Sequence, residues 1–164
     1  MNNFFEAYTD GSCDNLSKFH SGGSAYVVLS DGILIKEGSK GFLGTTNNRM
    51  ELLAIISVVN FLPQKAKVLI HTDSQYSITA LTYHPGKKAK NLDLIGLFHR
   101  IVRENKIDYS FKWVKGHNGD EWNEYVDNLA FTEYKRICSD YGISSKRDEQ
   151  DNYNSLNTRR YGRL

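Results

Sequence analysis

Three acidic residues in this chain stand at positions from which their carboxylates can converge on one point. Asp10 follows a predicted strand, and Gly11-Ser12 is predicted to form the turn that ends that strand. Asp73 follows another predicted strand, and Glu51 lies in the first turn of a predicted helix. Because open α/β sheets bind their ligands at the ends of strands, we interpret these positions as a candidate site.

A fourth carboxylate comes from Asp127 in the last predicted helix, on the face away from its apolar side. Carboxylates that share a site repel one another and take up protons unless a cation neutralises them. Oxygen ligands suit Mg²⁺ or Mn²⁺, and two such ions about 4 Å apart can hold the attacking and leaving oxygens of a phosphodiester displacement. Taken singly, each acid also has an ordinary role in a turn, a helix cap or a solvated helix surface, and spacing alone does not show that the four converge.

The predicted elements that position these acids follow the order β-β-β-α-β-α-α-β-α. Short connections join the first three strands, which indicates antiparallel pairing. The first helix, about residues 49–62, is predicted to be largely buried because apolar residues surround most of its circumference. The last helix is predicted to bury a stripe made of Trp122, Tyr125, Val126, Leu129 and Ala130. This order indicates an α/β domain with a mixed sheet and helices on its faces.

The composition is that of one ordinary globular domain. The 164 residues are 40% hydrophobic and 24% charged, which suffices for a sizeable core. The N-terminus lacks the pattern of a signal peptide and no apolar run is long enough for a membrane span, so we expect no membrane association. The two cysteines make neither a disulfide framework nor a metal cluster, and we expect a cytoplasmic protein.

Charge is divided unevenly along the chain. Residues 1–134 carry 14 Lys and Arg against 15 Asp and Glu, whereas residues 135–164 carry 7 against 4. Because apolar residues become rare near the C-terminus, we predict a folded domain over residues 1–138 and a basic, flexible tail over residues 139–164. A basic tail permits nucleic-acid contact, and a solvated chain end is the alternative.

Four sequence motifs resemble those of ribonuclease H type 1. They occur in the family's order over about residues 3–135, and they are Tyr8-Thr9-Asp10-Gly11-Ser12-Cys13, Thr45-Thr46-Asn47-Asn48-Arg49-Met50-Glu51-Leu52, Thr72-Asp73-Ser74-Gln75-Tyr76, and Trp113-Val114-Lys115-Gly116-His117 with Asp127. The resemblance implies the ribonuclease H-like fold, a five-stranded mixed sheet that begins with three antiparallel strands and is flanked by about four helices. It also implies a catalytic domain that acts as an endonuclease on the RNA strand of RNA–DNA hybrids, as in R-loop and RNA-primer removal, and leaves 5′-phosphate and 3′-hydroxyl ends.

By the same resemblance, the metal ligands are Asp10, Glu51, Asp73 and Asp127. Two Mg²⁺ ions would bind together with the substrate, with Asp10 between them, and Mn²⁺ could replace them. His117 lies in a glycine-flanked loop, and a histidine that titrates near neutrality can shuttle protons or help the product leave. A surface histidine without a role is the alternative for this residue.

Recognition of a hybrid requires contacts with the 2′-hydroxyls of one strand and with the deoxyribose of the other. By resemblance, Cys13, Asn48 and Gln75 would contact the substrate near the metal ligands. Thr46 and Asn91 would grip a phosphate of the DNA strand. Helix-capping and turn roles are the alternatives for these residues. The expected partner is an RNA–DNA hybrid, and the protein is expected to be a monomer.

Three departures from the family pattern limit the resemblance. The loop after Cys13 lacks the family's Gly/Pro-rich sequence, and Gly44 replaces an arginine that is common in bacterial members. The basic helical protrusion of many bacterial members is also missing, which leaves a loop that contains Lys87, Lys88 and Lys90. The hypothesis is that the basic tail, with Arg159, Arg160 and Arg163, supplies part of the lost phosphate binding, and the choice between the tail and this loop stays open.

Two alternatives belong to other classes of protein. One is a non-catalytic module that binds hybrids or double-stranded RNA on the same fold, although such a module could lose a metal ligand and all four are present. The other is a strand-transfer enzyme of the integrase type, against which the Thr46-Asn47-Asn48 stretch and the Lys115-Gly116-His117 loop argue. A domain taken from a reverse transcriptase would also fit the pattern.

Overall fold

The structure, a computed structural model, describes residues 3–14 and 19–143. Within these residues five strands and four helices follow one another in the predicted order. Their bounds are β1 Phe4–Cys13, β2 Gly22–Ser30, β3 Ile33–Phe42, α1 Asn47–Phe61, β4 Lys67–Thr72, α2 Gln75–Thr82, α3 Leu92–Asn105, β5 Asp108–Trp113 and α4 Glu121–Asp140. Most of the predicted basic tail, residues 144–164, lies outside the described residues, as do residues 15–18 of the loop after Cys13.

The five strands form one sheet in the order β3-β2-β1-β4-β5. β1, β2 and β3 pair antiparallel, whereas β4 pairs parallel with both β1 and β5. This mixed sheet and its flanking helices confirm the predicted fold class. Because a parallel pair needs a crossover connection, α1 carries the chain from the antiparallel half of the sheet to β4. The carboxyl ends of β1 and β4 therefore meet at one edge.

The larger hydrophobic core lies between the sheet and helices α1 and α3. As predicted, α1 is buried around most of its circumference, and Phe98 of α3 is fully buried against the same cluster. Helix α1 begins after Thr46, whose Oγ1 accepts a hydrogen bond from the backbone nitrogen of Arg49 at 3.2 Å. This hydrogen bond makes Thr46 the N-cap of α1, which is the alternative role given for it above.

Helix α4 covers the opposite face of the sheet and lies directly on strand backbone. A Cβ added at Gly23 would lie 2.0 Å from the Ala130 carbonyl oxygen, and one at Gly41 would lie 2.1 Å from Ile137 Cγ1. Side chains at these two strand positions would lift the helix off the sheet. Two glycines on neighbouring strands therefore determine how closely α4, which carries Asp127, approaches the sheet.

The apolar stripe predicted for α4 is only partly correct. Val126 and Ala130 are buried, but Tyr125 is 38% exposed and donates a hydrogen bond from its hydroxyl to Glu37 of β3. The difference arises because α4 extends over β3, the edge strand, where one flank of the helix remains open to solvent.

None of the helices in residues 3–14 and 19–143 combines the length and the apolar character that crossing a membrane requires.

Candidate active site

Asp10 lies where β1 continues beyond the end of its parallel neighbour β4. The last β1–β4 pair is Thr9 with Thr72, whereas β1 stays paired with β2 as far as Cys13. The turn predicted immediately after Asp10 is therefore wrong, because pairing with β2 keeps the backbone extended. Asp10 is the first residue of β1 beyond its pairing with β4, although it is still paired with β2. The cavity described below opens on the β4 side.

Gly11 allows α1 to approach β1 closely enough to bring Glu51 to Asp10. A Cβ at Gly11 would lie 2.6 Å from the Glu51 backbone nitrogen and 2.7 Å from Met50 Cβ, closer than real side chains come. The resulting contact buries both acids, since Asp10 is 4% exposed and Glu51 is 3% exposed. Close helix–strand packing, rather than a turn, explains the glycine after Asp10.

Asp73 follows the end of β4, as predicted, and precedes α2, which is capped by Ser74. Trp113 of β5 donates a hydrogen bond from Nε1 to the Asp73 carbonyl oxygen at 3.2 Å. Gly116 lies against the carboxylate, because a Cβ there would be 3.0 Å from Asp73 Oδ2. The loop that carries His117 therefore passes directly beside Asp73.

All four predicted metal ligands line one open cavity of about 430 Å³, together with His117. Asp127 comes from α4, and His117 comes from the loop after β5, where its backbone is left-handed with φ 55°. The predicted substrate contacts Cys13, Asn48 and Gln75 also line the cavity. The other lining residues are Gly11, Ser12, Asn47, Ser74 and Tyr76.

Burial and mutual repulsion raise the pKa values of three acids in this cavity. Burial raises the pKa of Asp10 from 3.8 to about 8, and the negative charge of Asp73 adds to the effect. Burial, followed by the charge of Asp10, raises the pKa of Glu51 well above its ordinary value. The pKa of Asp73 is raised by burial and then by the charge of Asp127. Such an arrangement favours either bound protons or a bound cation.

Asp10, Glu51 and Asp73 have the geometry of a cation site. Each offers one carboxylate oxygen, and these oxygens lie within 4.8 Å of one another. Among the described residues, Glu51 Oε2 is buried without a hydrogen-bond partner, which is unfavourable for a carboxylate unless a cation satisfies it. A set of oxygen ligands fits a hard divalent cation such as Mg²⁺ or Mn²⁺. Asp127 lies outside this tightest group but lines the same cavity.

The thiol of Cys13 is suited to contact with a bound molecule and not to nucleophilic attack. Burial, with a further contribution from the charge of Asp14, raises the pKa of Cys13 to about 11, so the thiol stays protonated near neutrality. Its Sγ donates a weak hydrogen bond to the Thr45 carbonyl oxygen at 3.6 Å.

Thr46 and Asn91, the predicted phosphate grip, do not line the cavity. The Thr46 hydroxyl accepts the capping hydrogen bond of α1, which leaves its own proton free to donate. Asn91 precedes α3 in a left-handed conformation, and its Nδ2 donates to the Tyr76 hydroxyl at 2.9 Å. Tyr76 in turn lines the cavity, so Asn91 lies behind one of its walls.

Arg49 makes contacts in this region that sequence patterns do not reveal. Its guanidinium binds Asp93, 44 residues further along the chain, so no local spacing connects the two. The one available signal is a charged residue on a helix that is otherwise largely apolar.

Comparisons with known proteins identify the relatives of this chain. The family model described as RNase H matches residues 2–135. The curated protein "Ribonuclease H" of Albidiferax ferrireducens is 37% identical, with 78% of this chain and 92% of that protein covered. Proteins of the same name from Xanthomonas euvesicatoria and Mannheimia succiniciproducens are each 39% identical, with 77% and 79% of this chain and 89% and 87% of those proteins covered.

A solved structure supports the fold independently. The crystal structure of LC9-RNase H1, described as a type 1 RNase H with the type 2 active-site motif, superposes with a TM-score of 0.68. It covers 82% of this chain and 74% of its own, at 24% sequence identity. At that identity the likeness bears on the fold alone.

Proposed function

Because this chain belongs to the ribonuclease H family, we propose that it is an endonuclease that hydrolyses the RNA strand of RNA–DNA hybrids and leaves 5′-phosphate and 3′-hydroxyl ends. Removal of R-loops and RNA primers would follow from that activity. The observation that carries the proposal is the buried cluster of Asp10, Glu51 and Asp73, whose oxygens lie within 4.8 Å of one another. Such a cluster is unfavourable in a folded protein unless bound protons or cations neutralise its charge.

Two divalent cations, Mg²⁺ or Mn²⁺, are the proposed source of that charge, with Asp10, Glu51, Asp73 and Asp127 as their ligands. When bound, such ions supply charge stabilisation to both the attacking and the leaving oxygen of a phosphodiester. The chain's own contribution is to hold the carboxylates close together. Gly11 and the end of β4 do this through backbone packing, before any ligand arrives.

His117 is proposed to exchange protons at the mouth of the cavity. It is exposed and lies in a loop that Gly116 allows to pass beside Asp73. An imidazole there can give a proton to the departing 3′-oxygen or relay it to solvent, because its two ring nitrogens can donate and accept protons.

The cleaved strand is proposed to lie over Cys13, Asn48 and Gln75, which line the cavity around the carboxylates. Asn48 and Gln75 each offer both a donor and an acceptor, which suits a 2′-hydroxyl that is itself both. The protonated thiol of Cys13 adds a weak donor at the same rim. These groups would distinguish ribose from deoxyribose at the strand to be cut.

The other strand is proposed to cross a second cavity of about 440 Å³ between α2 and α3, gripped by Thr46 and Asn91 beside it. This cavity shares Gln75 and Tyr76 with the first, so these two residues form the wall between the two cavities. Tyr83, 69% exposed, and Lys90 line it, so it offers an aromatic face and a positive charge. The Lys87, Lys88 and Lys90 loop is thereby a candidate replacement for the missing basic protrusion.

The test is cleavage of a labelled RNA–DNA hybrid, duplex DNA and duplex RNA with Mg²⁺, with Mn²⁺ and with a chelator. We expect metal-dependent cleavage of the hybrid alone, and mapping of the product ends by ligation would establish the end chemistry. Asp10→Asn should abolish cleavage, whereas Asp140→Asn, an exposed aspartate at the end of α4, should leave it intact. Binding of the hybrid without any cleavage would instead favour the non-catalytic module.

A further inference from the structure

An ion pair behind the wall of the cavity joins α1 to α3. The contact is bidentate: Arg49 donates from Nη1 to Asp93 Oδ1 at 3.0 Å and from Nη2 to Asp93 Oδ2 at 2.8 Å. Arg49 lies on the first turn of α1 between Asn48 and Glu51, both of which line the cavity. The pair therefore attaches α3 to the turn of α1 that carries residues of the proposed active site.

The same guanidinium also reaches Asn91. Its Nη1 donates to Asn91 Oδ1 at 3.2 Å, and Asn91 Nδ2 donates to the Tyr76 hydroxyl at 2.9 Å. Asn91 precedes α3 with φ 62° and ψ 27°, and its side chain makes no capping hydrogen bond to that helix. These two contacts, one to α1 and one to α2, thus orient the amide, and one proton of Nδ2 remains for a further acceptor.

We propose that Arg49 is a positioning residue for substrate binding: held by Asp93, it orients Asn91 and Tyr76 at the wall between the two cavities to receive a phosphate of the uncleaved strand. This inference rests on the proposed function. Tyr76 lines both cavities, so a change in its orientation would alter the wall that lies between the proposed paths of the two strands. Arg49 itself lines neither cavity and need not touch the substrate.

A purely structural role is the competing explanation, and an exposed ion pair offers a weak basis for it. The Arg49 side chain is 33% exposed and that of Asp93 is 64% exposed, and pairs of this kind contribute little to stability. The chain contains a matched control in Arg136, which binds Glu133 at 2.7 Å on α4, away from both cavities. Arg49→Ala and Arg136→Ala should therefore have similar thermal midpoints but different kinetics.

We expect Arg49→Ala to raise KM for the hybrid by about 5- to 20-fold while kcat changes less than about 2-fold, because binding and not chemistry is affected. Arg136→Ala should leave both constants unchanged. Asn91→Ala should raise KM to a similar extent. Because Arg49 acts through Asn91, the double variant Arg49→Ala with Asn91→Ala should be no worse than Asn91→Ala alone.

A metal-free measurement separates this inference from the proposed function. Hybrid affinity, measured by fluorescence anisotropy with a chelator present, should fall in Arg49→Ala by the same factor by which KM rises. An unchanged affinity and KM in Arg49→Ala, or losses that multiply in the double variant, would overturn the positioning role. Failure of the unmodified protein to cleave any hybrid would count against the proposed function, and the anisotropy series would still decide the role of Arg49.

Discussion

The buried carboxylates lead to an unusual prediction about stability: replacing Asp10 by asparagine should stabilise the metal-free protein above about pH 6. The pKa of Asp10 is raised from 3.8 to about 8 in the folded protein. At a pH between these two values, Asp10 holds a proton in the folded protein and has released it in the unfolded chain. The free energy of unfolding therefore falls as pH rises through this window, and the loss is complete above about pH 8.

The size of the effect follows from the same two values. At about 1.4 kcal/mol for each pH unit, the interval from 3.8 to about 8 sets an upper limit of about 6 kcal/mol. Because side chains relax and water enters around a buried carboxylate, we expect about 2–4 kcal/mol. This is a large share of the roughly 5–15 kcal/mol by which domains are stable, so urea unfolding resolves it easily.

The assay is urea unfolding between about pH 5 and about pH 9, with a chelator or with Mg²⁺. With the chelator, the unmodified protein should lose stability as pH rises, and Asp10→Asn should lose much less. Mg²⁺ should restore the stability of the unmodified protein but not change that of Asp10→Asn. Asp140→Asn, at an exposed position, is the control. A metal-free protein whose stability is flat or increases with pH, or an Asp10→Asn variant that is less stable at about pH 8, would refute the reasoning.

Three substitutions test the packing around the site. Gly11→Ala, whose Cβ would lie 2.6 Å from the Glu51 nitrogen, should lower stability by about 1–3 kcal/mol and kcat by about 100-fold, measured by urea unfolding and hybrid cleavage. Gly96→Ala in α3, with nothing within 4 Å of the new Cβ, should instead stabilise by about 0.5–1 kcal/mol in the same unfolding assay and leave cleavage unchanged. Trp113→Phe removes the hydrogen bond to the Asp73 carbonyl, and it should lower kcat several-fold in the cleavage assay while KM stays unchanged. A change in KM with an unchanged kcat would contradict this prediction.

The order of elements was predictable because each has a strong local signal. Alternating or continuous apolar runs identified the strands, and the Thr46 cap and the apolar circumference identified α1. Local signals failed at Gly11, where Asp-Gly is typical of a turn but the glycine is needed for contact with a helix 40 residues away in sequence. They failed again at Tyr125, because helical periodicity does not reveal which flank of a helix lies over the edge of a sheet.

For the site, the identities of the acidic residues were predictable and their geometry was not. Resemblance to a family placed Asp10, Glu51, Asp73 and Asp127 together, and the structure brings all four to one cavity. No spacing could have given their separations or burial, which depend on the β1–β4 register. The contact of Arg49 with Asp93 could not be predicted, because the two residues lie on different helices and 44 residues apart.

The crossover between β1 and β4 also has a consequence for the rates of folding and unfolding. The clustered acids come from separate segments of the chain, and Asp10 and Asp73 meet only when β4 docks beside β1. Their repulsion is therefore weak in a transition state that lacks this docking and strong in the finished fold. Divalent cations should accordingly slow unfolding far more than they speed folding, so that a loaded molecule persists because it opens slowly.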